Sequence, residues 1–127
     1  MLHGNAEDNA LTERVIGCGI QVHRELGPGL LESVYESALC IELRSAGIEF
    51  KRQVGIPLYY KGELLSEHRP DLVVADRLIV EVKSVEHLNP VHLSQMMTYL
   101  RICGVKVGLL INFNSAYLKH GIRRVMR

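Results

Sequence analysis

The chain has 127 residues, 47% hydrophobic and 23% charged, a balance that argues against a disordered segment and allows one real core. No apolar run reaches the ~18–20 residues of a membrane helix, residues 1–8 lack a secretory pattern, and Cys18, Cys40 and Cys103 lack the spacing of a disulfide framework or zinc site. The net charge of +1 is unevenly spread, with 3 Lys/Arg against 8 Asp/Glu in residues 1–50 and 12 against 6 in residues 51–127. The expectation is a single cytoplasmic domain over residues 1–127 whose basic half suits a polyanionic partner.

Leu11, Val15, Cys18, Val22 and Leu26 recur every three or four positions, predicting a helix from Asn9 to Leu26 capped by Asp8 or Asn9. Gly17 and Gly19 inside it suggest close packing against a neighbour. Leu26-Gly27-Pro28-Gly29 breaks the helix, and a second follows from Leu30 to Ala46, with Leu31, Val34, Ala38 and Leu39 inward and Gly47 as its stop. The period then becomes two: Ile48, Phe50, Val54, Ile56, Leu58 and Tyr60 alternate with polar or small residues, as in one long strand or two bent at Pro57. Lys61-Gly62 is a turn, with a short strand near Leu64–Ser66. Leu72-Val73-Val74 and Leu78-Ile79-Val80, parted by Ala75-Asp76-Arg77, form a hairpin. Asn89-Pro90 opens a third helix that ends at Gly104, and the apolar run Val105–Ile111 is a strand parallel to Leu78–Ser84 through a right-handed crossover. The polar, basic tail after Asn114 reads as a final edge strand. The class is α/β, a mixed β-sheet flanked by helices.

The hairpin carries the chemistry. If it turns symmetrically about Asp76, Asp71 falls directly opposite Glu81, and Lys83, two residues further on, projects from the same face. Two carboxylates and an ammonium would then cluster on otherwise aliphatic strands, a costly arrangement that a hard divalent cation would relieve. An ordinary surface salt bridge from Lys83 to either acid is the plain alternative, worth about 0–1 kcal/mol. A slip of one residue would send Asp71 to the other face.

Pro70-Asp71, nine intervening residues and Glu81-Val82-Lys83 resemble the P-D…(D/E)-x-K signature of the PD-(D/E)XK nuclease superfamily. Gly29-Leu30-Leu31-Glu32-Ser33-Val34-Tyr35 is similar to the motif that names its GxxExxY family, and Gln95-Met96-Met97-Thr98-Tyr99 to the Q-x-x-x-Y motif of its exonuclease-like branch. The resemblance implies a restriction-endonuclease-like core in the order α-α-β-β-β-α-β. It also implies Mg2+ or Mn2+ held by Asp71 and Glu81, with Glu32 adding a carboxylate directly or through water. Lys83 would orient the attacking water or meet charge growing on phosphorus. Gln95 and Tyr99, four apart on one helical face, would contact the substrate backbone or Lys83, and Tyr35 would support the site by packing. The substrate would be nucleic acid, with DNA favoured over RNA.

Without the resemblance, Glu32 reads as a helix-surface acid near an N-terminus, and Gln95 and Tyr99 as a polar stripe. The histidines form no compact ligand pattern, so His23 and His92 read as structural or surface groups. Two rivals remain: a nuclease-fold module that binds nucleic acid or a protein while cutting weakly or not at all, and a homo-oligomer whose apolar edges pair between subunits.

Overall fold

A computed structural model describes residues 5–127; residues 1–4, which the secretory-signal reading included, lie outside it. Helix α1 (Ala6–Leu26) starts one turn earlier than expected, because Asn5 is the cap and its side chain accepts from the Asp8 N–H at 2.8 Å. Helix α2 (Glu32–Ser45) follows the Gly-Pro-Gly turn, and its buried face is Tyr35, Leu39, Cys40 and Leu43 together with Glu36. The expected inward residues Leu31 and Val34 are exposed, because they lie at the helix start.

Strand β1 (Phe50–Arg52) stops at Gln53, whose φ of 54° ends the ladder. The chain therefore bends at Gln53, not at Pro57. Pro57 lies within β2 (Ile56–Tyr60), which pairs only with β3 (Glu63–His68) in a separate two-stranded ribbon. Each strand of such a ribbon has a free edge, so a proline without an N–H is tolerated. β4 (Leu72–Val74) and β5 (Leu78–Lys83) form the expected hairpin, with Leu72 opposite Val80, Val73 opposite Ile79 and Val74 opposite Leu78. Ala75 and Asp76 both take positive φ in the turn.

Helix α3 (Pro90–Cys103) begins at an Asn89 capping box closed by His92 and ends at Gly104 in the left-handed region. β6 (Val107–Asn112) runs parallel to β5, and β7 (Ile122–Met126), after a short 3₁₀ turn, closes the antiparallel edge. The main sheet has the order β1-β4-β5-β6-β7. With the β2–β3 ribbon set aside as an excursion, the chain keeps the expected α-α-β-β-β-α-β sequence and adds β7.

The sheet has a helix layer on each face. Val15, Val22, Tyr35, Leu39 and Leu43 of α1 and α2 bury Val80, Val82, Leu109 and Ile111. Met96, Tyr99 and Leu100 of α3 cover Ile79 and Leu110 on the other face. Each large side chain so buried contributes roughly 1.5–3 kcal/mol relative to exposure. A Cβ at Gly19 would meet Leu118 at 3.3 Å, so the close packing expected of the helix-one glycines holds there; at Gly17 the space is open. Arg124 of β7 donates to Asn9 of α1, joining the two ends of the chain. Among the described residues no helix is long and apolar enough to cross a membrane.

Candidate functional site

The site forms where β4 begins and β5 ends. Val73 and Ile79 pack on the α3 face, and strand alternation carries Asp71, Glu81 and Lys83 onto the same side. The ladder prolongs the symmetric register: the Asp71 N–H donates to Glu81 Oε1 at 3.3 Å, and the Val82 N–H donates to Asp71 Oδ2 at 2.7 Å. The two carboxyl groups thus face each other across adjacent strands, as the sequence spacing implied.

Glu81 is 4% exposed. Burial pushes its pKa from 4.5 up to about 9, with the Asp71 charge and the side-chain interaction with the Asp71 carboxyl adding to the rise; Lys83 and the bond from the Asp71 N–H oppose it without cancelling it. Tyr99 of α3 lies against the acids, its hydroxyl pKa raised to about 12, first by burial and then by the Glu81 and Asp71 charges. The His68 ring meets Tyr99 edge-on at 5.9 Å. Gln95, one turn earlier on α3, is exposed.

Helix α2 contributes twice. Glu32 accepts from the Ser84 N–H at 3.3 Å, just past the end of β5, while the Ser84 hydroxyl donates to Leu30 O at 2.6 Å. Glu36, one turn on and buried, accepts from Arg52 Nε at 2.6 Å and from Gln53 Nε2 at 3.1 Å. The same Gln53 amide lies 3.3 Å from Asp71 Oδ1, bridging helix and strand. Burial raises the Glu36 pKa, the Arg52 bond works against that and the Asp71 charge adds to it. Sequence reasoning missed Glu36 and Gln53; the spacing of Glu36 four residues after Glu32, on one helical face, was the available signal.

Tyr35 is fully buried, stacks on Phe113 at 4.6 Å, donates to Gly27 O and accepts from the Leu30 N–H. It packs the turn that presents Glu32. His23 is held to Ser115 O at 2.7 Å and His92 by the Asn89 cap, so both are structural. A cavity of about 630 Å3 behind β1, lined by Arg44, Ile48 and Phe50, contains none of the candidate residues.

Among the described residues, no three His, Cys, Asp or Glu side chains converge as a closed metal cage. The chemistry of Asp71 and Glu81 still suits a hard divalent cation, because Mg2+ commonly takes one or two carboxylates and keeps several waters. Part of what holds the proton on Glu81 is repulsion from Asp71, the strain that a cation between two carboxylates removes.

No curated protein and no solved structure matches the chain. A comparison with protein families matches residues 9–125 to the PD-(D/E)XK nuclease superfamily. That match takes in nearly all of the two helices before the sheet, the facing acids of the hairpin and most of the final strand, and the chain belongs to the PD-(D/E)XK nuclease superfamily.

Proposed function

We propose that this protein is a metal-dependent nuclease of the GxxExxY type that hydrolyses phosphodiester bonds in nucleic acid, DNA in preference to RNA. The observation that carries the reading is the confrontation of Asp71 with buried Glu81, with Lys83 on the same face. Asp71 and Glu81 are the residues that would hold Mg2+ or Mn2+; Glu32, held on the Ser84 N–H, would join them only through water. Such an ion, when bound, supplies Lewis-acid polarisation of the phosphoryl oxygen and a more acidic water.

The chain's own residues do the rest. The Val82 N–H and the Gln53 amide fix the Asp71 carboxylate from two sides. Lys83 orients the attacking water and offers fixed positive charge where negative charge grows on phosphorus, an interaction stronger in the transition state than in the ground state. Tyr99 backs the acids, and exposed Gln95 on the same helical face contacts the substrate strand. The excess of Lys and Arg in residues 51–127 supports affinity for a phosphate backbone.

One observation favours a second reading, a fold that binds nucleic acid or a protein without cutting: among the described residues no third carboxylate joins Asp71 and Glu81 in a cage. Calorimetric titration of the parent and Asp71→Ala proteins with Mg2+ and Mn2+, beside cleavage of single- and double-stranded DNA and RNA, decides between them. Saturable binding and cleavage by the parent, both lost in the variant, is the expected result. A parent that takes up neither ion defeats the nuclease reading.

A further inference from the structure

We propose that a small polar cavity one strand away from Lys83 seats a phosphate of the substrate strand, a subsite that rests on the nuclease reading and deepens it. The cavity, about 140 Å3, is bordered by His87, Ser115, His120 and Arg123, with Asn112 and Gly121 behind them. That volume is well below the ~300 Å3 lower end of drug-sized ligand pockets. It has room for a phosphate with its waters.

Its position follows from the register. Asn112 pairs with Lys83 across parallel β5 and β6, so the two lie on the same face about 4.8 Å apart along the hydrogen-bonding direction. The Phe113 N–H also donates to Lys83 O at 2.9 Å. A strand held at Lys83 therefore passes the cavity mouth.

The back of the cavity is fixed before any ligand arrives. Asn112 is 4% exposed and clamps the loop after β5: its amide donates to Val85 O at 2.9 Å, and its carbonyl accepts from the Val85 N–H at 3.1 Å. Glycine is required at 121 for space, since a Cβ there would lie 2.3 Å from Ser115 Oγ and 2.4 Å from Asn112 O. The Tyr117 ring braces His120 edge-on at 5.7 Å.

The lining chemistry selects an anion. Two imidazoles, a hydroxyl and a guanidinium are donors, and among the described residues the Arg123 guanidinium has no ion pair or hydrogen bond. Glu86 also borders the cavity, but its side chain is 92% exposed and reaches only His87, at 4.0 Å. With Arg77, Arg52 and Arg69 committed to acids elsewhere, Arg123 is available for an external phosphate.

The test uses the whole metal-free chain with inorganic phosphate as the probe, so that it reads the subsite without cleavage. Histidine ring resonances are followed by NMR in the parent, Arg123→Gln and His120→Gln. The expected result is a saturable shift of His87 and His120 in the parent, with affinity weakened at least fivefold in both variants. No saturable shift, or equal affinity in all three proteins, overturns the proposal whatever the cleavage result. Saturable, variant-sensitive binding by a protein that cuts nothing keeps the subsite and sinks the nuclease reading instead. In the cleaving protein, Arg123→Gln should raise KM at least fivefold and leave kcat within twofold; a fall in kcat at constant KM contradicts a binding seat. Oligonucleotides ending in phosphate or in hydroxyl identify the source. A preference for the phosphorylated end that Arg123→Gln abolishes assigns the seat to a terminal phosphate, and equal, equally weakened binding of both assigns it to an internal one.

Discussion

The two ends of the β4–β5 hairpin both carry charge and handle it in opposite ways. At the turn, Arg77 donates to Asp8 at 2.8 Å and also reaches Glu7 and Asn5, while Lys51 pairs with Asp76 at 3.3 Å. Each charge there meets its opposite, and the result is a seam between α1 and the sheet. At the open end, Asp71 and Glu81 confront each other, one of them buried, and Lys83 does not neutralise the pair. Ionising a buried acid that no opposite charge balances costs stability. The sheet pairs its charges at one end, and at the other keeps a proton on a buried acid that faces a second carboxyl, the arrangement on which the proposed cation site rests.

That contrast can be broken in graded ways. The largest effect belongs to Lys83→Ala: turnover in a cleavage assay should fall at least about 100-fold, the low end of the range for a positioned proton-transfer or charge-stabilising group, while calorimetry still shows metal binding. Loss of both would move Lys83 to a structural role. Next is the pH response of the metal-free protein. The Glu81 pKa is about 4.5 ordinarily and about 9 when folded, so the native state holds more protons between those values. Stability is therefore fully present below about 4.5 and is lost as pH climbs through about 9. Thermal unfolding in chelator should show Tm falling by several degrees between these limits, more steeply than in Glu81→Gln; parallel curves would contradict the buried acid. Arg77→Ala should lower Tm by a few degrees by stripping Asp8 of its partner, with cleavage unchanged. Lys51→Ala should be smallest, since both partners are mostly exposed, and a change beyond ~1 kcal/mol in denaturant unfolding would mean the turn pair matters more than surface pairs do.

The facing acids were legible in the sequence because a symmetric turn about Asp76 leaves one register once Leu72, Val74, Leu78 and Val80 must share the buried face. The start of α3 was legible for a similar reason: Asn89-Pro90 combines a cap with a residue that fits only the first helical turn. The break at Gln53 was not, since its cause is tertiary. Its N–H donates to Asp71 O at 3.0 Å just as the chain leaves the sheet, and alternation alone cannot reveal where a strand leaves its partner. Glu36 was hidden by the habit of treating a helical acid as solvated; only the approach of Arg52 and Gln53, sixteen and seventeen residues away, explains its burial. Asn112 gave no signal in the sequence, because its two-sided clamp on Val85 spans 27 residues.

The bond from Arg124 to Asn9 spans 115 residues and makes neighbours of the first helix and the last strand. A circularly permuted gene, with a flexible linker joining residues 5 and 127 and new termini opened at the exposed Lys61-Gly62 turn, should therefore encode the same architecture. The opening would fall in the outlying ribbon, leaving the strands that bear Asp71 and Glu81 uncut.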